Sequence, residues 1–179
     1  MPVLEWYYVL LIGVGFALLL WFPQNAQHEG AHGIGALLVG CRMTEFKPYL
    51  HRGTDGKLKF ASMRYDCGER ALTRHQRALI SAMPVAFNTT IMLGASAINA
   101  VGEDSIGSGL ALGWVIVNAF DGGNNARLLL FTKAFGTSRS DLIKWARWTG
   151  QKETGAKIGA ACWLAFGVAC IVLNATLFR

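Results

Sequence analysis

The sequence predicts an all-α polytopic membrane protein with about four transmembrane helices and a small membrane-associated β-hairpin after the first helix. Of the 179 residues, 53% are hydrophobic and only 16% are charged, and the mean hydropathy is +0.33. A soluble domain of average composition carries more charge than this. Several apolar stretches also reach the roughly 20 residues that a spanning helix needs. The chain is too short to add a separate soluble domain, so we expect residues 1–179 to form a single intramembrane domain.

The first predicted span covers residues 3–22 and continues through Pro23 into a helical segment at residues 24–40. As one straight helix, this whole run would be about 57 Å long. The hydrocarbon core of a bilayer is only roughly 30 Å thick. Proline lacks an N–H and clashes with the preceding turn, so we expect the helix to kink at Pro23.

A change of pattern after the first span predicts the β-hairpin, at about residues 43–65. Residues 43–50 and 57–65 are rich in side chains that suit strands, and Gly53-Thr54-Asp55-Gly56 between them is a turn signal. An isolated hairpin is marginally stable in water, so we expect this one to lean on the helices.

Three further spans are predicted, at residues 79–100, 108–131 and 158–178. The first of these three contains Pro84 and Asn88, which are unusual in a helix that faces only lipid. Between the last two, residues 138–151 have an amphipathic pattern with Ser140 as the expected cap. Such a segment is typical of an interfacial helix in the headgroup layer.

The distribution of charge predicts the orientation in the membrane. The net charge is +6, and of the 17 Lys and Arg residues nine lie within residues 42–77 and seven within residues 127–157. The positive-inside rule makes these two loops cytoplasmic and places the N- and C-termini outside. Topology thus accounts for the basic residues, and no nucleic-acid partner is predicted. On the cytoplasmic side, Cys41 and Cys67 are expected to stay reduced.

The segment His28-Glu29-Gly30-Ala31-His32 is an HExxH motif within this apolar chain. On a helix, positions i and i+4 share a face, so both imidazoles can hold one metal ion. The glutamate is then placed to take a proton from a water molecule at the metal. A hydrolytic zinc site needs a third protein ligand and one open position.

Asp121 supplies a candidate for the third ligand. It lies within the third span, and the nearest basic residue in the sequence is Arg127. An unpaired carboxylate buried there would cost several kcal/mol, whereas metal coordination removes that cost. Gly122 and Gly123 have no side chains and allow a neighbouring helix to approach closely. Asn118, three residues earlier on the same face, either orients Asp121 or bonds a neighbouring helix.

Three segments occur in an order that resembles the site-2 protease family of intramembrane zinc metalloproteases. They are HEGAH at residues 28–32, SAMPVAFN at residues 81–88 and FDGG at residues 120–123. The similarity covers about residues 15–131, and the chain resembles a minimal form without a PDZ or CBS domain.

The resemblance implies a role for each matching residue. His28, His32 and Asp121 become zinc ligands, and Glu29 becomes the general base. Asn88 becomes a candidate for holding the substrate backbone or the oxyanion near the metal. One Zn²⁺ per chain is expected.

The leading hypothesis is therefore a zinc endopeptidase that hydrolyses a single-span membrane protein or peptide within the lipid bilayer. The alternative is a proteolytically silent relative that binds or regulates a membrane partner, although such a protein has no need of Glu29. A metal-transporting protein is a third hypothesis. A single ligand set without other charged residues in the spans makes a poor ion path.

Overall fold

The computed structural model describes residues 4–54, 56–101, 105–131 and 140–176. Its helices are α1 (Leu4–Leu38), α2 (Arg74–Val101), α3 (Ser105–Phe131), α4 (Asp141–Thr149) and α5 (Glu153–Thr176). Its strands are β1 (Arg42–Lys47), β2 (His51–Arg52), β3 (Leu58–Lys59) and β4 (Ser62–Asp66). The prediction of a helical chain with a small β-region after the first helix is confirmed.

Within the described ranges, three helices are long and apolar enough to cross a membrane, which supports the prediction of a membrane protein. They are α1 from Tyr7 onward, α2 and α5. The predicted count of four spans is not confirmed, because α3 is not among these helices. Helix α3 packs against α1, α2 and α5. A helix that is surrounded by other helices can carry polar side chains without exposing them to lipid.

Helix α1 contains both the first predicted span and the helical segment after Pro23. It continues through Pro23 without interruption and has 35 residues, which makes it about 52 Å long. Near its C-terminal end, α1 approaches α2 closely at Gly35. A Cβ atom on Gly35 would lie 3.0 Å from the Cα atom of Ile80. This close approach brings the motif on α1 next to the backbone of α2.

The four strands form one long hairpin in two antiparallel parts. Strand β1 pairs with β4, and β2 pairs with β3 closer to the turn. Gly56 has φ +75 in the predicted turn, a conformation that favours glycine; Asp55 lies outside the described residues. The hairpin leans on α1 as expected, since the rings of Phe22 and Phe60 are 5.4 Å apart.

A disulfide joins Cys41 and Cys67, so the prediction that both stay reduced is wrong. The register explains the pairing. Arg42 pairs with Asp66, so the residues just outside this pair face each other at the open end of the hairpin. Cys41 is also buried against the end of α1 and the start of α2. The disulfide therefore fastens the hairpin to the helices.

Helix α4 is shorter than the predicted 138–151, and residues 138–139 lie outside the described part of the chain. Its Ile143 and Ala146 are completely buried in a cluster with residues of α3 and α5. Ser140 precedes the helix, but its side chain makes no capping hydrogen bond. Its hydroxyl instead donates to Asn125. Ser140 is thus the N-cap residue, as predicted, but its side chain docks α4 on α3 instead of bonding the N–H groups of the helix.

Candidate metal centre

The predicted pair of histidines lies on one face of α1, as the four-residue spacing requires. The rings of His28 and His32 are 5.1 Å apart. Glu29 lines the same cavity as both histidines. Among the described residues, the Glu29 carboxylate has no hydrogen-bond partner.

The Nε2 atoms of both histidines converge on one carboxylate oxygen. Asp141 Oδ2 lies 3.0 Å from His28 Nε2 and 3.2 Å from His32 Nε2. The possible ligand atoms of these three residues all lie within 4.8 Å of one another. The structure therefore contains a possible metal-binding triad of two imidazoles and one carboxylate.

The Nδ1 atoms of the same rings, on the side away from Asp141, each contact an oxygen atom. His32 Nδ1 donates to the carbonyl oxygen of Ile80 at 2.8 Å, and His28 Nδ1 lies 2.8 Å from Asp121 Oδ2. Metal-binding histidines usually donate their second ring nitrogen to a carbonyl or a carboxylate in this way. Both rings are thereby fixed with Nε2 directed at Asp141.

The contacts of the two imidazoles need more positive charge than neutral rings supply, and either protons or a metal ion can provide it. A neutral imidazole has one N–H, and His32 gives its own to Ile80. Its contact with Asp141 through Nε2 therefore needs either a second proton on the ring or a cation between the two groups. His28 faces a carboxylate with each ring nitrogen. A metal ion held between the Nε2 atoms and Asp141 would take the place of these protons and be coordinated by two imidazoles and one carboxylate.

Asp121, the predicted third ligand, lies behind His28 in a buried network of amides. Asn88 Nδ2 donates to Asp121 Oδ2 at 2.8 Å. The Oδ1 atom of Asn88 accepts hydrogen bonds from Gln24 at 3.1 Å and from Gln27 at 3.2 Å. Asn88 is fully buried and does not line the cavity. It thus positions Asp121 in this structure, and its contact with substrate stays a prediction.

Asn118 takes the second of its two predicted roles, a bond to a neighbouring helix. Its Oδ1 accepts from Gln27 of α1 at 2.7 Å, and its Nδ2 donates to the carbonyl of Trp114 at 2.8 Å. Among the described residues, hydrogen bonds through Gln27 and Asn88 connect it to Asp121. The side chains of this network join α1, α2 and α3 behind His28.

Asp141 was not predicted as a site residue, although it is held firmly at the centre. Its Oδ1 accepts from Lys144 Nζ at 2.9 Å, and its backbone N–H donates to Asn125 Oδ1 at 3.2 Å. Burial raises the pKa of the Asp141 carboxyl. Hydrogen bonds from His28 and His32 and the charge of Lys144 lower this pKa by a larger amount. The net effect holds this pKa well below its usual range, so the carboxylate stays charged.

One sequence signal marks Asp141. It is the only acidic residue between Asp121 and Glu153, in a segment that is otherwise basic. An acidic residue in the first turn of a helix also interacts favourably with the helix dipole. That local explanation is sufficient, so the sequence gives no reason to connect Asp141 with a motif more than 100 residues earlier.

The centre opens into a cavity of about 720 Å³. Its walls come from α1, from β4, from the start of α2 and from α4. The lining includes Met63 and Tyr65 of β4, Arg77 of α2, and Lys144 and Trp148 of α4. A peptide segment entering this cavity would meet the histidines, Glu29 and Asp141 together.

Comparison with known proteins gives no relative for this chain: no protein-family model, no curated protein and no solved structure matches it. The interpretation of the centre rests on the motif, the contacts and the cavity.

Proposed function

We propose that this chain is an intramembrane zinc endopeptidase, as the resemblance to site-2 proteases implies. One observation carries the proposal. The Nε2 atoms of His28 and His32 converge on a carboxylate beside Glu29, in a cavity large enough for a peptide segment. Two imidazoles, one carboxylate and a neighbouring glutamate are the residue types that a hydrolytic zinc site uses.

For the third ligand, the contacts support Asp141. It faces the same nitrogen atoms that the i, i+4 spacing directs toward a metal, whereas Asp121 faces the Nδ1 atom of His28. We therefore propose His28, His32 and Asp141 as the zinc ligands, with Asp121 orienting His28. The ligand set that the resemblance implies, with Asp121 in place of Asp141, is the alternative.

In the proposed mechanism, His28, His32 and Asp141 would hold the zinc ion, which would acidify a water molecule and polarise the carbonyl of the scissile bond. Glu29 would take a proton from the attacking water and deliver it to the leaving amine as the C–N bond breaks. Its place in the cavity and its lack of a hydrogen-bond partner among the described residues suit a proton carrier. Asp121 and Ile80 keep the two imidazoles in the orientation that the reaction needs.

The proposed substrate is a single-span membrane protein or a membrane-embedded peptide. The peptide bonds of a transmembrane helix are locked in internal hydrogen bonds, so the segment must unwind before attack. Strand β4 lines the cavity through Met63 and Tyr65, and in the described hairpin it pairs only with β1. Its second edge offers backbone groups to which an unwound segment could add as a strand.

Co-expression with candidate single-span substrates tests the proposal. The Glu29→Gln variant should leave the substrate intact, because it keeps the ligands but lacks the base. The Glu69→Gln variant is a matched control, since Glu69 is exposed and does not line the cavity. Clearance by Glu29→Gln at the wild-type rate would contradict the protease function. Zinc binding without clearance of any substrate by the wild type would instead support a silent, partner-binding relative.

A further inference from the structure

Arg77 is a fixed positive group at the cavity mouth that the proposed mechanism does not use. It lies in the first turn of α2, and its guanidinium carbon is 4.8 Å from the centroid of the Trp148 ring. Its Nε donates to the carbonyl oxygen of Leu72 at 3.2 Å. Contacts on two sides thus hold the guanidinium in place, and both Arg77 and Trp148 line the cavity.

The charge of Arg77 has no carboxylate partner in the part of the chain that the structure describes. Lys144, the other cation of the cavity, is paired with Asp141 at 2.9 Å. Within the described residues, no carboxylate lies at ion-pair distance from Arg77. Only one of its five N–H donors has a hydrogen-bond partner there. The mouth therefore presents a guanidinium whose terminal nitrogen atoms are free to bind a ligand.

The chemistry of this group selects a carboxylate as the ligand. A guanidinium offers parallel N–H donors that match the two oxygen atoms of a carboxylate, and such bidentate pairs are among the strong hydrogen bonds. Stacking on Trp148 leaves the edge of the guanidinium available while the face is covered. The same cavity leads to the histidines and Glu29, so a group bound at Arg77 belongs to the molecule that reaches the metal centre.

We propose that Arg77 binds a carboxylate of the substrate and makes the enzyme prefer an acidic peptide segment next to the cleaved bond. The carboxylate is either an Asp or Glu side chain or a free C-terminus, which present the same chemistry. The inference rests on the proposed peptidase function and names a determinant of its specificity.

Peptide binding to the zinc-loaded Glu29→Gln protein tests the inference without turnover. Four peptides that differ only in their carboxylates separate a side chain from a C-terminus as the ligand. They carry an internal Glu or Gln, and each of these has an amidated or a free C-terminus. We expect a carboxylate in the preferred place to tighten binding about tenfold, as a charge-assisted hydrogen-bonded pair does. If the internal Glu tightens binding, the ligand is a side chain; if the free C-terminus tightens binding, the ligand is the C-terminal carboxylate.

Variants of Arg77 then show whether this residue causes the preference for a carboxylate. Arg77→Gln should abolish the preference while the neutral peptide still binds, which also verifies that the variant is folded. Arg77→Lys should keep part of the preference, and Arg77→Glu should shift it to a Lys-bearing peptide. Arg74→Gln is the matched control, because Arg74 is exposed on the same helix and does not line the cavity.

The inference is overturned if Arg77→Gln retains the full preference, or if the acidic and neutral peptides bind the parent protein equally. Its failure differs from failure of the peptidase function. If only the inference fails, the wild type still cleaves the peptides. Arg77→Gln then cleaves the acidic and the neutral peptide with the same kcat and KM as the wild type. If the wild type neither binds nor cleaves any of the peptides, the peptidase function fails and the inference fails with it.

Discussion

At the residue scale, the central feature is that His28 faces a carboxylate with each of its ring nitrogens. Asp121 lies 2.8 Å from Nδ1, and Asp141 lies 3.0 Å from Nε2. A histidine that binds zinc through Nε2 needs a partner on Nδ1 to fix its orientation. The roles proposed for the two carboxylates therefore differ, and their removal should have different consequences.

Zinc affinity of Asp141→Asn and Asp121→Asn measures this difference. Loss of an orienting carboxylate lowers metal affinity about 10- to 100-fold. We expect this loss for Asp121→Asn and a larger one for Asp141→Asn, which removes a ligand. Competition with a chelator of known affinity gives both values. The reverse order would favour the ligand set that the resemblance to site-2 proteases implies.

The low pKa of Asp141 also makes stability depend on pH. The folded-state pKa lies below the unfolded value of about 3.9. The stabilisation from this carboxylate is thus fully present above about pH 4 and decreases as the pH falls toward the folded pKa. Thermal midpoints of metal-free wild type and Asp141→Asn should differ by a constant amount from pH 7 to 5, and the difference should shrink near pH 3. An equal difference in thermal midpoint at pH 3 and pH 7 would contradict a lowered pKa of Asp141 in the folded protein.

The HExxH motif could be predicted because its geometry is local. Four residues of helix suffice to bring His28 and His32 together, whatever the rest of the fold does. Asp141 could not be predicted in this way, since its position depends on how α4 docks against α3. That docking involves the Asn125 side chain and residues buried between three helices. Local patterns contain no information about such a contact.

At the element scale, the packing of α3 against α5 depends on Gly122. A methyl group on Gly122 would overlap the indole ring of Trp163, which is also held by a hydrogen bond to Thr89 at 3.2 Å. The sequence predicted that glycine at this position allows close helix approach, and the structure confirms it for Gly122.

Gly122→Ala should therefore destabilise the protein by about 1–3 kcal/mol, the usual effect of overpacking. Gly159→Ala is the matched control, because a Cβ atom on Gly159 of α5 meets open space. Alanine there should be neutral or slightly stabilising, since it favours the helix. Denaturation in detergent measures both variants. A loss of stability of the same size in both would contradict the packing described for Gly122.

Amphipathic patterns were the least reliable guide at this scale. The segment that became α4 has the polar and apolar faces of an interfacial helix, but its apolar face packs on protein. A pattern of this kind shows that one face is covered without showing by what. Helix α3 illustrates the same limit, because polar residues such as Asn118 lower its hydropathy although the helix lies inside the bundle.

At the scale of the whole molecule, the disulfide and the loop charges predict opposite orientations. The basic loops place the hairpin in the cytoplasm. A disulfide such as Cys41–Cys67 is typical of an oxidising compartment. Because the disulfide is part of the fold, we expect the hairpin and the cavity mouth to face the oxidising side.

An epitope tag inserted at Thr54, in the exposed hairpin turn, tests this orientation in intact cells. We expect an impermeant antibody to detect the tag without permeabilisation. Alkylation should also leave Cys41 and Cys67 unmodified until a reductant is added. Replacing both cysteines with serine should lower stability by about 2–4 kcal/mol. Detection only after permeabilisation would support the orientation that the charges predict.

The metal content of the purified protein tests the central claim most directly. The proposed metal centre predicts about one zinc ion per chain in the wild type and in Glu29→Gln, because both keep the three proposed ligands. His28→Ala and His32→Ala should each lose most of this zinc, since each removes an imidazole from the convergent pair. A wild-type protein without bound metal, or histidine variants that keep the full zinc content, would contradict the metal centre.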